Sequence, residues 1–226
     1  MQGRWGIVGW VAAVAVVLML VTTNVRFTAS SLWLYEQLFE RNQVPTRTGI
    51  SMVELSKVGG TIQDYFASDT EPLVVVAEIN GAPVNLFGDD EAAHMADVKQ
   101  LFVKTYRVQA VSAFVLVVAI AGAAYAQRRR AASMVGGWLM RGAVIAAAAI
   151  AVIGVASVVA FRQVFLLFHY IGFPQGNFTF STTTDYLVRV FPNGFWSDIT
   201  FVIGAMTIVE AVLIWTVVRT ARRYAR

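Results

Sequence analysis

Apolar residues along this chain fall into four long blocks, and the stretches between them switch to helical or alternating periodicity. Trp5 to Val25, Val108 to Gln127, Gly142 to Phe161 and Ile199 to Val218 contain no charged residue except Glu210 in the last. Each is 20 or 21 residues long, and a helix needs about 20 residues, at about 1.5 Å each, to cross about 30 Å of hydrocarbon. The pattern predicts four membrane-spanning helices, about residues 5–25, 108–127, 142–161 and 199–218. The first is long for a signal-peptide core and shows no small-x-small cleavage site before Arg26, so it reads as an uncleaved anchor.

The segments between the blocks are amphipathic. Asn24 to Asn42 continues the first span with Leu32, Tyr35, Leu38 and Phe39 at one helical face, and Pro45 is expected to break it. Ser51-Met52-Val53-Glu54 is a capping box ahead of Leu55, Val58, Ile62, Tyr65 and Phe66, so a short helix starts there. Leu73 to Ile79 and Val84 to Phe87 flank Asn80-Gly81-Ala82-Pro83, the signature of a small β-hairpin. Asp89 or Asp90 caps a helix through Glu91, His94, Asp97, Val98 and Leu101 that runs toward the second span. Phe161 to Tyr170 either extends the third helix or lies along the interface, and Gly172, Pro174 and Gly176 end it. Alanines 146 to 149 in the third span allow close helix packing. The fold expected is an all-α membrane protein: four transmembrane helices with an extracytoplasmic cap of short helices and one hairpin, in a single membrane domain over residues 1–226.

Composition agrees with that class and excludes a soluble one. The chain is 57% hydrophobic and 14% charged, with mean hydropathy +0.61. Charge then sets the orientation. Arg4, Arg128 to Arg130, Arg141, Arg219, Arg222, Arg223 and Arg226 lie on one side with no acid, whereas the other side holds thirteen of the fourteen acids. Positive residues stay in the cytoplasm, so both termini are cytoplasmic and residues 26–107 and 162–198 are outside. The basic clusters hug helix ends, where they set topology and meet anionic lipid; they are no sign of nucleic acid. The chain has no cysteine, which removes disulfides and thiolate chemistry alike.

Candidate chemistry narrows to the only two histidines, His94 and His169, both beside a span on the outer face. Histidine titrates nearest neutral pH, so such a pair is a candidate acid/base centre. Asp97 shares a helical face with His94 and can fix its tautomer, although the same spacing fits a surface histidine in an acidic helix start. His169 and Tyr170 equally fit an interfacial aromatic belt. Close metal-ligand spacing and a Gly-x-Ser-x-Gly elbow are both missing from the sequence, so neither a metal nor a cofactor is expected. Glu210 marks either a pathway or a buried helix-pairing carboxyl.

Three segments resemble the signature of the bacterial membrane family of the lipoprotein intramolecular transacylase (Lit). They are Val44 to Ser51 with Glu54-Leu55 and Asp64-Tyr65-Phe66, Glu91 to Lys99 around His94, and Phe168-His169 through Phe173 to Phe180, Asp185 to Leu187 and Phe191 to Trp196. The resemblance implies a bacterial cell-membrane enzyme that moves an acyl chain within a diacylated lipoprotein, from the glyceryl ester to the N-terminal cysteine amine. It places the family's two functional histidines at His94 and His169, with membrane lipid as surroundings. Arg162, Arg189, Tyr106 and Tyr170 are positioned as possible oxyanion donors or substrate contacts. The competing reading is a non-enzymatic sensor or assembly partner, in which the histidines lie far apart or are replaceable with little effect; a metal-dependent hydrolase would need a carboxylate converging on both. The enzyme reading expects them within about 8 Å. It also expects a bend or break around Lys104 to Arg107, or a strong tilt, because a straight helix would lift His94 about 21 Å above the hydrocarbon edge, and a straight, upright helix would favour the non-enzymatic reading.

Overall fold

The computed structural model describes residues 2–224, with the side chains of residues 2–4 left aside. Arg226 and the Arg4 side chain, counted above among the basic residues, lie outside the described residues. Helices dominate: α1 (Gln2–Ala29), α2 (Leu32–Arg41), α3 (Val44–Thr48), α4 (Met52–Ala67), α5 (Asp89–Gln127), α6 (Ala131–Gly172), α7 (Tyr186–Val190) and α8 (Asn193–Tyr224). One antiparallel hairpin, β1 (Val76–Ile79) and β2 (Ala82–Asn85), interrupts them. Three stretches are long and apolar enough to cross a membrane: Trp5–Ala29, Asp89–Gly172 and Asn193–Tyr224. The middle one, 84 residues, holds α5 and α6 joined by a 3-10 turn at Arg128–Arg130. The chain divides into two compact units, one made of residues up to Arg26, Thr105–Val155 and the chain from Val202, the other of Phe27–Lys104 and Ala156–Phe201.

The first unit is a bundle of apolar helices held by small residues. Ala12, Ala119, Ala123, Ala131 and Trp138 form its buried cluster, with Trp5 stacked on Trp138 at 6.3 Å. Gly142 lets α6 meet α1 closely: a Cβ there would stand 2.5 Å from Val16 Cβ and 2.7 Å from Ala13 O. Of the four alanines expected to pack, only Ala146 is buried, one turn after Gly142, because one helical face can touch α1. Asn24 Nδ2 donates to Thr207 Oγ1 at 3.0 Å and to Glu210 Oε2 at 2.9 Å. Half-buried Glu210 thus pairs α8 with α1 through Asn24.

The second unit is built on an aromatic core. Tyr35, Phe39, Phe191 and Phe195 have ring centroids 5.0 to 6.1 Å apart, and Phe39 and Phe195 are almost wholly buried. The expected continuous helix from Asn24 to Asn42 breaks at Ser30-Ser31, where Ser31 takes extended backbone as the N-cap of α2. Pro45 ends nothing: it sits in the first turn of α3, where a missing N–H is harmless. Half of the capping box forms, Ser51 Oγ accepting from Glu54 N at 3.2 Å. The Glu54 carboxylate instead accepts from Glu78 N at 3.0 Å and so ties β1 to α4. Asn80 and Gly81 both take positive φ, 54° and 81°, which makes the hairpin turn two residues long and puts Ala82 and Pro83 in β2. Buried Lys99 holds the preceding loop, donating to Thr70 O at 2.8 Å and pairing with Glu71 at 3.3 Å.

No helix break marks the bend, break or strong tilt expected around Lys104 to Arg107. α5 is continuous through those residues, and the break falls in α6, at Ala160 with φ −149° and ψ 51°. Phe161 to Tyr170 does extend the third helix, but only beyond that break.

Candidate active site

Both histidines lie in the second unit, and each is positioned by a helix end. α5 starts at Asp89, so His94 sits in its second turn with Glu91 one turn earlier and Asp97 one turn later. Glu91 is buried and its carboxylate accepts two backbone N–H groups, Gly88 at 2.9 Å and Leu187 at 2.7 Å. It thereby fastens the start of α7 to the start of α5. His169 belongs to the last turn of α6, where Phe173 N bonds His169 O at 2.8 Å and Gly176 N bonds Phe173 O at 3.0 Å. Gly176 takes φ +82°, a left-handed conformation that glycine adopts freely, and the chain turns back there. That reversal returns Phe178 and Phe180 to the histidines.

The two imidazoles are neighbours. Their ring centroids are 6.0 Å apart and their planes differ by 16°, inside the separation expected of an acid/base pair. They are only 6% and 8% exposed. Phe173 borders both, at 4.8 Å from His94 and 5.4 Å from His169. Phe180 lies 5.4 Å from His94, while Phe165, Phe178 and Phe168 lie 4.1, 5.3 and 5.4 Å from His169.

This aromatic wall decides the charge state. A cationic imidazole taken from water into such surroundings loses its hydration, so the neutral form is favoured. Burial, and then the neighbouring His169, push His94 down to about 4, against a weaker upward pull from Asp97 and Asn177. Burial likewise lowers His169, offset in part by its bond to Phe165 O. At neutral pH the site holds two neutral imidazoles. His169 Nδ1 is 2.8 Å from Phe165 O, and a carbonyl oxygen only accepts, so Nδ1 carries the proton and Nε2 keeps its lone pair.

The supporting residues expected from the sequence are distributed differently. Asp97 makes no hydrogen bond to His94: its Oδ2 accepts from Gln175 Nε2 at 2.7 Å and Asn177 Nδ2 at 2.5 Å, because the reversal at Gly176 brings both amides to α5. Tyr170 is 66% exposed and packs on Phe178. Arg189 donates to Arg47 O at 2.8 Å and stacks on Tyr186, tying α7 to α3. Arg162 is exposed two residues beyond the break in α6, and Tyr106 lies in the first unit under the Arg26 guanidinium. The geometry thus brings His94, His169 and Asp97 to one place and leaves Arg162, Arg189 and Tyr170 directed elsewhere. Among the described residues no three His, Asp or Glu side chains gather as metal ligands. Asn177, Gln175 and Glu91 were missed as site residues, although all three lie in the signature segments Glu91 to Lys99 and Phe173 to Phe180.

A mostly helical chain with membrane-length apolar helices is that of an integral membrane protein, and in it two buried imidazoles lie side by side among phenylalanines. The profile of the lipoprotein intramolecular transacylase Lit matches residues 10–196, and the chain belongs to that family of membrane acyltransferases. Its fold is similar to the in meso structure of the membrane integral lipoprotein intramolecular transacylase Lit from Bacillus cereus, over 100% of this chain and 99% of that one, with TM-score 0.85 at 14% identity. Two structures of that protein with one histidine replaced, by arginine or by alanine, align with TM-scores 0.77 and 0.78, again at 14% identity, over 100% of this chain and 96% and 97% of theirs. No curated protein matches the chain significantly.

Proposed function

We propose that this protein moves an acyl chain within one diacylated lipoprotein molecule, from the glyceryl ester to the α-amine of the N-terminal cysteine, and leaves a lyso-form lipoprotein. The observation that carries the reading is the pairing of the chain's two histidines at 6.0 Å, both buried among phenylalanines. A sensor or assembly partner gives no reason for that pairing.

In the proposed reaction an N–C bond forms and the ester C–O bond breaks. One proton leaves the amine nitrogen and one reaches the glyceryl oxygen. His169 Nε2 takes the first, and the imidazole pair returns it, acting as acid only while it carries that proton. No external acyl donor is needed because nucleophile and ester belong to one molecule, which supplies proximity. Phenylalanine walls keep both imidazoles uncharged until the amine arrives, and they suit acyl chains. Four spans, with α5 and α6 as separate crossings, cytoplasmic termini and the histidines on the outer face, follow from the arginine distribution.

Expression in a bacterial strain whose lipoproteins are diacylated tests this. The N-terminal peptide of a lipoprotein is expected to lose its free amine without changing mass, and to keep it with His94→Ala or His169→Ala. An amine that stays free with the wild-type protein, or is blocked equally by both variants, refutes the proposal.

A further inference from the structure

The bond expected from Asp97 to His94 is replaced by a longer connection through Asn177. Asp97 Oδ2 accepts from Asn177 Nδ2 at 2.5 Å and from Gln175 Nε2. A carboxylate only accepts, so this contact fixes which end of the amide faces Asp97 and turns Oδ1 the other way. Two buried polar atoms then remain without a hydrogen bond: Asn177 Oδ1 and His94 Nδ1. One is an obligate acceptor, the other becomes a donor when protonated, and both the side chain and the backbone of Asn177 act on His94, each favouring its protonated form. An orphaned buried polar atom costs about 1–3 kcal/mol, so a contact joining these complementary orphans is favoured.

We propose that Asn177 is a positioning residue for His94: held by Asp97, its carbonyl oxygen receives the Nδ1–H and fixes the tautomer that leaves the Nε2 lone pair for the reaction. His169 reaches the same tautomer by donating Nδ1–H to Phe165 O. Both imidazoles then offer Nε2 as proton acceptor, and neither donates a proton until it has taken one from the substrate. The tautomer assignment rests on the Asp97–Asn177 hydrogen bond and the two unpartnered atoms; its use in acyl transfer rests on the function proposed above.

The full-length protein labelled with 15N-histidine, in detergent micelles at pH 7.5, reports the tautomer of each ring by NMR, and His94→Ala assigns the signals. The expected result is an Nδ1–H, bare-Nε2 pattern for His94 in the wild type. In Asn177→Ala this pattern gives way to a tautomer mixture, while the His169 signals stay unchanged and so show an intact pocket. In lipopeptide turnover, Asn177→Ala is expected to lower kcat about tenfold or more with KM little changed. A wild-type His94 protonated on Nε2 overturns the proposal without recourse to any variant, as does an unchanged tautomer in Asn177→Ala. Wild-type protein with the Nδ1–H signature but no transacylation would refute the acyl-transfer reading and leave the role of Asn177 standing.

Discussion

Acidification probes the aromatic site most selectively, because the chain has two histidines and the pocket acts on both. At pH 5.0 an imidazole at the ordinary 6.5 is about 97% protonated, whereas His94, at about 4, is about 90% neutral. The gap corresponds to up to about 3 kcal/mol of preference for the neutral form. Its sign is fixed by linkage. The folded state binds the proton less well than the unfolded chain, so the stability is fully present above pH 6.5 and drains away as pH falls toward 4. Burial is the larger cause and the neighbouring His169 the next. His169→Leu is therefore expected to raise the His94 midpoint only part of the way back. Histidine-selective NMR titration from pH 7.5 to 4 measures the midpoint, and thermal unfolding across the same range measures the linked stability. A wild-type midpoint at 6.5 or above refutes the desolvation argument. A complete return to 6.5 in His169→Leu would show that charge, not burial, controls the site.

Other substitutions probe the parts that hold the pocket. Glu91→Ala leaves the N–H groups of Gly88 and Leu187 without their acceptor, at about 1–3 kcal/mol each, and should lower the unfolding temperature and weaken turnover together. Gly176→Val forces a β-branched residue into φ +82° and should displace Phe178 and Phe180, cutting turnover well beyond the loss of stability, which is expected to be about 1–3 kcal/mol. Gly194→Ala would set a Cβ 2.1 Å from Asn42 Oδ1, whose side chain also bonds Asp198 at 3.0 Å, so thermal unfolding should move down by several degrees. In the first unit, a double-mutant cycle on Asn24→Leu and Glu210→Leu should show coupling of about 0.6–1.7 kcal/mol, measured by unfolding in detergent.

The residue pattern carried the membrane-length apolar helices, the hairpin at Asn80-Gly81 and the two histidines as candidates, because each depends on local periodicity, turn chemistry or a short motif. It did not carry the break at Ala160. No proline marks that site, and Ala156-Ser157-Val158-Val159-Ala160 carries no break signal. The partner of Asp97 was hidden for a related reason. Its spacing to His94 was correct, but two amides brought back by the turn at Gly176 compete for the carboxylate, and sequence separation gives no hint of them. Arg189 looked like an oxyanion donor by charge and position; its fork is occupied by Arg47 O and the Tyr186 ring.

The central claim is that a paired-histidine site moves an acyl group inside one molecule. Purified protein given two diacylated lipopeptides, differing both in peptide mass and in acyl-chain length, tests it by tandem mass spectrometry. Each peptide should acquire on its amine only its own chain, with total mass unchanged, and His94→Ala and His169→Ala should leave the amines free. Amines carrying the other peptide's chain, or unmodified peptides with the wild-type protein, would contradict the account.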